Sequence, residues 1–129
     1  ADPSLGNGNC SRPVGLIDLY PTLNELCDLT SPPQKLEGHS LVPLLQKPDA
    51  VWPHPAITTF HQNDHTIRTE HWRYIRYANG DEELYDRAAD PHEWHNLASK
   101  PEHKGTIAEL REHLPKVNAA DSPERSSSR

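Results

Sequence analysis

The chain has 129 residues, of which 33% are hydrophobic, and a mean hydropathy of -0.86, too little apolar material for a large self-contained core. A formal charge of -6 argues against a dedicated nucleic-acid binder, which needs a basic footprint to hold phosphates. No apolar run approaches the ~20 residues that cross a bilayer, and Ala1 to Cys10 lacks a charged stretch followed by an apolar one, so any targeting segment lies upstream or the chain is cytosolic. Two cysteines, Cys10 and Cys27, define neither a disulfide framework nor a four-ligand zinc site.

Residues 1–12 are rich in Gly, Asn and Ser and read as a loop at a cut end. Val14 to Ile17 reads as a short buried strand, and Asp18 as the cap of a helix whose face carries Leu19, Leu23, Leu26 and Leu29. One strand entering a helix is half of an αβ unit, so the sheet it joins is expected upstream. From Ser31 to Pro55 six prolines leave room only for a helical turn at Leu41 to Leu45, giving a wrapping linker over the rest of residues 13–55.

Strands are predicted at Ala56 to Phe60, Thr66 to Thr69 and Trp72 to Ala78, the last alternating at period two. Asn79-Gly80 predicts a type I′ turn returning Glu82 to Tyr85 antiparallel. Asp90, Pro91 and Glu93 read as a capped helical turn. Ser99 with Glu102 reads as a capping box opening a helix with Ile107, Leu110 and Leu114 on one side, ended by Pro115. Residues 56–117 thus form a small antiparallel subdomain with a helix, and 118–129 a disordered tail poor in apolar side chains.

Among nine histidines, His61, Asp64 and His65 have spacing compatible with shared metal ligation on a turn, against which a solvated loop is preferred. His92 and His95 are three apart, not the four that a zinc-protease helix requires, and read as surface residues. Arg68, Arg73 and Arg76 alternate with Trp72, Tyr74 and Tyr77, a pattern that could hold an anionic glycan or nucleic acid in an autonomous binding module. The preferred reading is a half-buried strand whose arginines reach Glu82, Glu83 or Asp86.

Pro13 to Leu23 (Asp-Leu-Tyr-Pro-Thr), Leu36 to Leu41 (Gly-x-Ser-Leu), the Trp-Arg-Tyr-Ile and Glu-Leu-Tyr-Asp strands, and Asp90 to Leu97 (Asp-Pro-x-Glu-x-x-Asn-Leu) form an ordered set. The set resembles the C-terminal third of a type I sulfatase, nearest the bacterial iduronate-2-sulfatase-like kind. The resemblance implies an α+β fragment: the end of an alkaline-phosphatase-like α/β domain followed by an antiparallel-sheet subdomain and a terminal helix. It implies sulfuric ester hydrolysis by a formylglycine made from Cys-x-Pro-x-Arg, beside a calcium ion. Cys10-Ser11-Arg12-Pro13 has similar letters in the wrong order, so neither formylglycine nor calcium is expected in this chain and the chain alone is expected to be inactive. The implied partners are a missing N-terminal catalytic domain of the same polypeptide and a sulfated carbohydrate, with no nucleic acid and no membrane. The implied location is periplasmic or extracellular. His65 and Arg68, at the start of strands facing the cleft, are the expected substrate contacts.

Overall fold

The computed structural model describes residues 8–30 and 32–120. Most of the loop expected at the start and most of the tail expected to be disordered lie outside them. The described residues fall into two compact units. One runs from residue 8 to Ala56 and includes Arg68–His71; the other comprises Ile57–Ile67 and continues from Trp72 to residue 120. No helix among the described residues is long and apolar enough to cross a membrane.

The first unit contains α1 (Leu19–Leu26) and α2 (Val42–Gln46). The strand expected at Val14 to Ile17 does not form: Leu16–Asp18 is a single 3-10 turn. The cause is local. The Asp18 carboxylate turns back to accept the Gly15 N–H at 2.8 Å, and the Asp18 N–H donates to the Gly15 carbonyl at 3.1 Å, which closes the segment on itself. Nor does the Asp18 side chain cap α1, because its other oxygen accepts the His39 N–H at 2.8 Å. The helix start is held instead by Thr22, whose hydroxyl donates to the Asp18 carbonyl and accepts the Leu41 N–H at 2.9 Å.

Asp18 and Thr22 are buried, as are Val42 and Leu44 of α2, whose first turn accommodates Pro43 without losing a bond. The α1 face is not covered: Leu23 is 55% exposed, and Leu19 and Leu26 are exposed too, as is Leu16 in the turn before the helix.

The second unit is built on a four-stranded antiparallel sheet of order β1-β2-β3-β4, with β1 Ala56–Thr59, β2 His65–Arg68, β3 Trp72–Arg76 and β4 Glu82–Asp86, of which only the end residues Ala56 and Arg68 group with the first unit. β3 and β4 pair in the register Tyr74 to Leu84 and Arg76 to Glu82. Period two puts Ile67, Tyr74 and Leu84 on one face, fully buried, where Ile107 and Leu110 of α3 (Lys104–Arg111) cover them. Each such side chain contributes about 1.5–3 kcal/mol by leaving water.

The β3–β4 connection is not the two-residue type I′ turn expected. Gly80 has φ of 94°, but Asn79 is not in the left-handed region. The Gly80 N–H donates to the Tyr77 carbonyl at 2.9 Å and the Tyr77 N–H to the Asp81 carbonyl at 3.0 Å. Ala78 to Gly80 therefore form a three-residue loop, a type I turn closed by a left-handed glycine. Asn79 contributes through its side chain, whose oxygen accepts the Asp81 N–H at 2.9 Å.

Two further expectations fail. Asp90 to Glu93 is a non-helical turn because Glu93 takes φ of 58°. Ser99 makes no capping bond; Pro101 fixes a helical φ and starts a 3-10 turn (Pro101–His103) that runs into α3. That helix ends at Arg111, short of Pro115.

A Cβ at Gly38 would overlap the Ile17 carbonyl, so Gly38→Ala forces the two chain segments apart and is expected to cost about 1–3 kcal/mol in a denaturant titration. Gly80→Val meets nothing in space, and is expected to cost about 1–2 kcal/mol through its positive φ alone. Equal stability of wild type and Gly38→Ala would refute the close approach of the two segments.

Candidate functional site

Asp18 is the buried carboxylate of the first unit, and both its oxygens are occupied by main-chain N–H groups. It positions the Gly38 segment and brings His39 to a ring cluster. The His39 and His54 imidazoles stack with centroids 3.5 Å apart, and Trp52 meets both edge-on. Arg12 is a staple: its guanidinium donates to the Ala50 and Asp49 carbonyls at 3.1 Å and pairs with Glu70. The arginine after Cys10 is thus a structural group, while Cys10 itself is exposed and free.

In the second unit the charged groups are organised around two carboxylates. Glu82 accepts from the Tyr74 hydroxyl, from Arg76 at 3.3 Å and, through both carboxylate oxygens, from the Arg111 guanidinium, the tightest at 2.5 Å. Arg111 holds the Glu82 carboxyl below its ordinary value against the upward push of burial, and Glu82 in turn raises Arg111. Burial, then Glu82, raises the Tyr74 hydroxyl.

On the opposite face Glu83 accepts from Tyr77 at 3.1 Å and Tyr85 at 2.9 Å. Burial first, and Glu83 second, push Tyr85 up to about 12. Glu93 bridges Arg73 and Arg87, each at 2.7 Å. The Arg and aromatic strand is therefore engaged with carboxylates, and the Tyr74 ring is not an open stacking surface.

The two expected substrate residues lie on β2 with an odd spacing, so they occupy opposite faces. His65 is buried, its Nδ1 2.9 Å from the Thr59 hydroxyl and its Nε2 without a partner among the described residues; Arg68 is exposed. His61, Asp64 and His65 do not converge on a metal. The Asp64 Oδ1 accepts the Ala78 N–H at 2.7 Å, and no group of three potential ligands occurs among the described residues.

These donors do not fit the calcium and formylglycine that the resemblance implies: the best-placed carboxylates already accept protein N–H groups, and the cysteine motif is out of order. Sequence reading missed Asp18, taken for a helix cap, and the Glu82–Arg111 pair, separated by 29 positions. Glu93 had a visible signal, its place in the Asp-Pro-x-Glu motif.

Residues 7–120 match the family model described as N-sulphoglucosamine sulphohydrolase, C-terminal. The chain belongs to this family. As a sulfatase C-terminal region it is 41% identical to a sulfatase of Formosa agariphila, over 92% of this chain and 24% of that protein. Its identity to arylsulfatase K of Xenopus laevis is 33%, over 85% of this chain and 24% of that protein. The chain thus spans about a quarter of the length of these curated relatives.

Among solved structures, BT4656 in complex with its substrate D-glucosamine-2-N,6-O-disulfate matches 74% of the chain with 22% of its own, at a TM-score of 0.62 and 27% identity. BT1596, a 2-O GAG sulfatase, matches 81% of the chain with a TM-score of 0.55 and 28% identity. The sheet and terminal helix are those of the alkaline-phosphatase-like sulfatases.

Because the Glu82 carboxyl lies below its ordinary value of 4.5, its contribution is complete above that pH and is lost as pH falls through the folded-state value. The stability advantage of wild type over Glu82→Gln is expected to shrink as urea midpoints are measured from pH 6 to pH 3. An advantage that grows toward acid would refute the pairing. Glu82→Ala, which strips the buried Tyr74 hydroxyl of its acceptor, is expected to cost about 1–3 kcal/mol at pH 7.

Proposed function

We propose that this chain is the C-terminal portion of a sulfuric ester hydrolase acting on sulfated carbohydrate, of the iduronate-2-sulfatase-like kind, working outside the cytoplasm in the periplasm or beyond the cell. The observation that carries the reading is the match of 92% of the chain to 24% of a bacterial sulfatase. The exposed leucines of α1 support it, since an apolar helix face of this kind covers a sheet in an α/β domain.

In this reading the formylglycine and the calcium belong to an N-terminal catalytic domain of the same polypeptide. There they would supply the nucleophile that attacks sulfur and the charge that stabilises the sulfuryl group as the alcohol leaves. The contribution of this chain is a wall of the substrate cleft. Arg68, with an exposed head able to meet a sulfate or carboxylate in a two-pronged contact, is the proposed substrate-binding residue. His65 enters as the buried group that ties β2 to Thr59 of β1 and holds the strand bearing Arg68.

The chain by itself is expected to hydrolyse no aryl or sugar sulfate, with or without calcium, whereas the polypeptide extended upstream is expected to turn over. Arg68→Ala in that longer protein is expected to raise KM for a sulfated sugar roughly tenfold, the loss of one charge-assisted hydrogen bond, with kcat little changed. Turnover by the isolated chain that disappears in Cys10→Ala would sink the proposal.

A further inference from the structure

The turn between β4 and α3 divides its side chains by position. Asp90, Glu93, Asn96 and Leu97 fix the backbone: the Asp90 carboxylate accepts the His95 N–H at 2.8 Å, and Glu93 bridges two arginines. Asn96 accepts the Leu84 N–H at 3.0 Å and donates to the Glu82 carbonyl at 3.2 Å, and the Leu97 N–H donates to the Leu84 carbonyl at 2.8 Å. The intervening positions, His92, Trp94 and His95, have exposed side chains, with the His95 Nδ1 3.4 Å from the Asp90 carboxylate and its Nε2 edge left to solvent. Trp94 is 76% exposed and stacks on His92 with centroids 5.0 Å apart and planes 21° apart; the His95 side chain is 77% exposed.

A large exposed indole flanked by two exposed imidazoles, on a turn whose backbone is held by Asp90, Asn96 and Leu97, is an arrangement for contact with a partner. The rigid backbone means that little ordering cost remains when something binds. The chemistry selects a sugar: the apolar C–H face of a pyranose stacks on an indole, and imidazole N–H groups donate to the oxygens of a sulfate. We propose that Trp94, with His92 and His95, is a binding platform for a sulfated sugar residue. The choice of a sulfated ligand rests on the sulfatase reading above; the platform itself rests on the geometry of the turn.

The test uses the upstream-extended polypeptide and a sulfated glycosaminoglycan tetrasaccharide, with its desulfated counterpart as the comparison, titrated by calorimetry. Turnover of a small aryl sulfate is followed in parallel. Trp94→Ala is expected to weaken tetrasaccharide binding at least tenfold and to leave aryl sulfate turnover unchanged, Trp94→Tyr to recover part of the loss, and His92→Ala with His95→Ala to erase the preference for the sulfated form. Unchanged affinity in Trp94→Ala, equal binding of the desulfated sugar by wild type, or a Trp94 shielded from acrylamide quenching by the rest of the polypeptide would each overturn the proposal. Absent aryl sulfate turnover in the extended wild type would instead overturn the sulfatase reading, so the two failures are distinguishable.

Discussion

One buried carboxylate organises the first unit. Asp18 accepts the N–H of Gly15 three residues before it and of His39 twenty-one residues after it, so a single side chain both closes a turn and brings in a distant segment. Charge-assisted bonds of this kind are the stronger ones, and removing the acceptor would leave two main-chain donors without partners. Thr22 repeats the device one helical turn later with Leu41, and Gly38 lets the segments come together because it has no Cβ to meet the Ile17 carbonyl. The Asp-Leu-Tyr-Pro-Thr and Gly-x-Ser-Leu motifs, apart in sequence, are therefore the two sides of one clasp.

The second unit follows a different rule. Its core is small, with Ile67, Tyr74 and Leu84 against Ile107 and Leu110, and Tyr74 carries a polar tip into it. Glu82 satisfies that hydroxyl and is itself neutralised by Arg111 and Arg76, so the end of α3 is fastened to the edge of the β3–β4 hairpin through a charged network as well as through apolar packing. Glu93 does the same for the turn beyond β4, joining Arg73 on one strand to Arg87 past the other.

Elements carried by local pattern were legible in the sequence: the period-two alternation at Trp72 to Arg76, the leucines of α1, and the proline-interrupted segment with one helical turn at Val42–Gln46. The order of the five motifs carried the family. What sequence could not give was the choice between two local outcomes settled by distant partners. Val14 to Ile17 has strand-like composition, yet Asp18 curls it into a turn through Gly15 while its other oxygen holds the distant His39 N–H. Asn79-Gly80 has the letters of a two-residue turn, yet the bond from the Tyr77 N–H to the Asp81 carbonyl leaves three residues to connect, and the asparagine acts through its amide. His65 looked like an accessible ligand because burial on a period-two strand depends on which neighbour faces it, and that neighbour is not adjacent in sequence.

The Arg12 staple bears on how this region can be divided. Arg12 meets Asp49, Ala50 and Glu70, and Glu70 belongs to the short stretch Arg68–His71 that the first unit takes from within the sequence of the second. The chain passes from one unit to the other after Ala56, after Ile67 and again after His71. No single cut yields both units whole: a break after Ala56 separates Arg12 from Glu70, and a later one divides the sheet. A fragment that keeps the first unit whole, with Arg12 and Glu70 on one piece, therefore has to run past His71 and carry Ile57–Ile67 of the second unit with it.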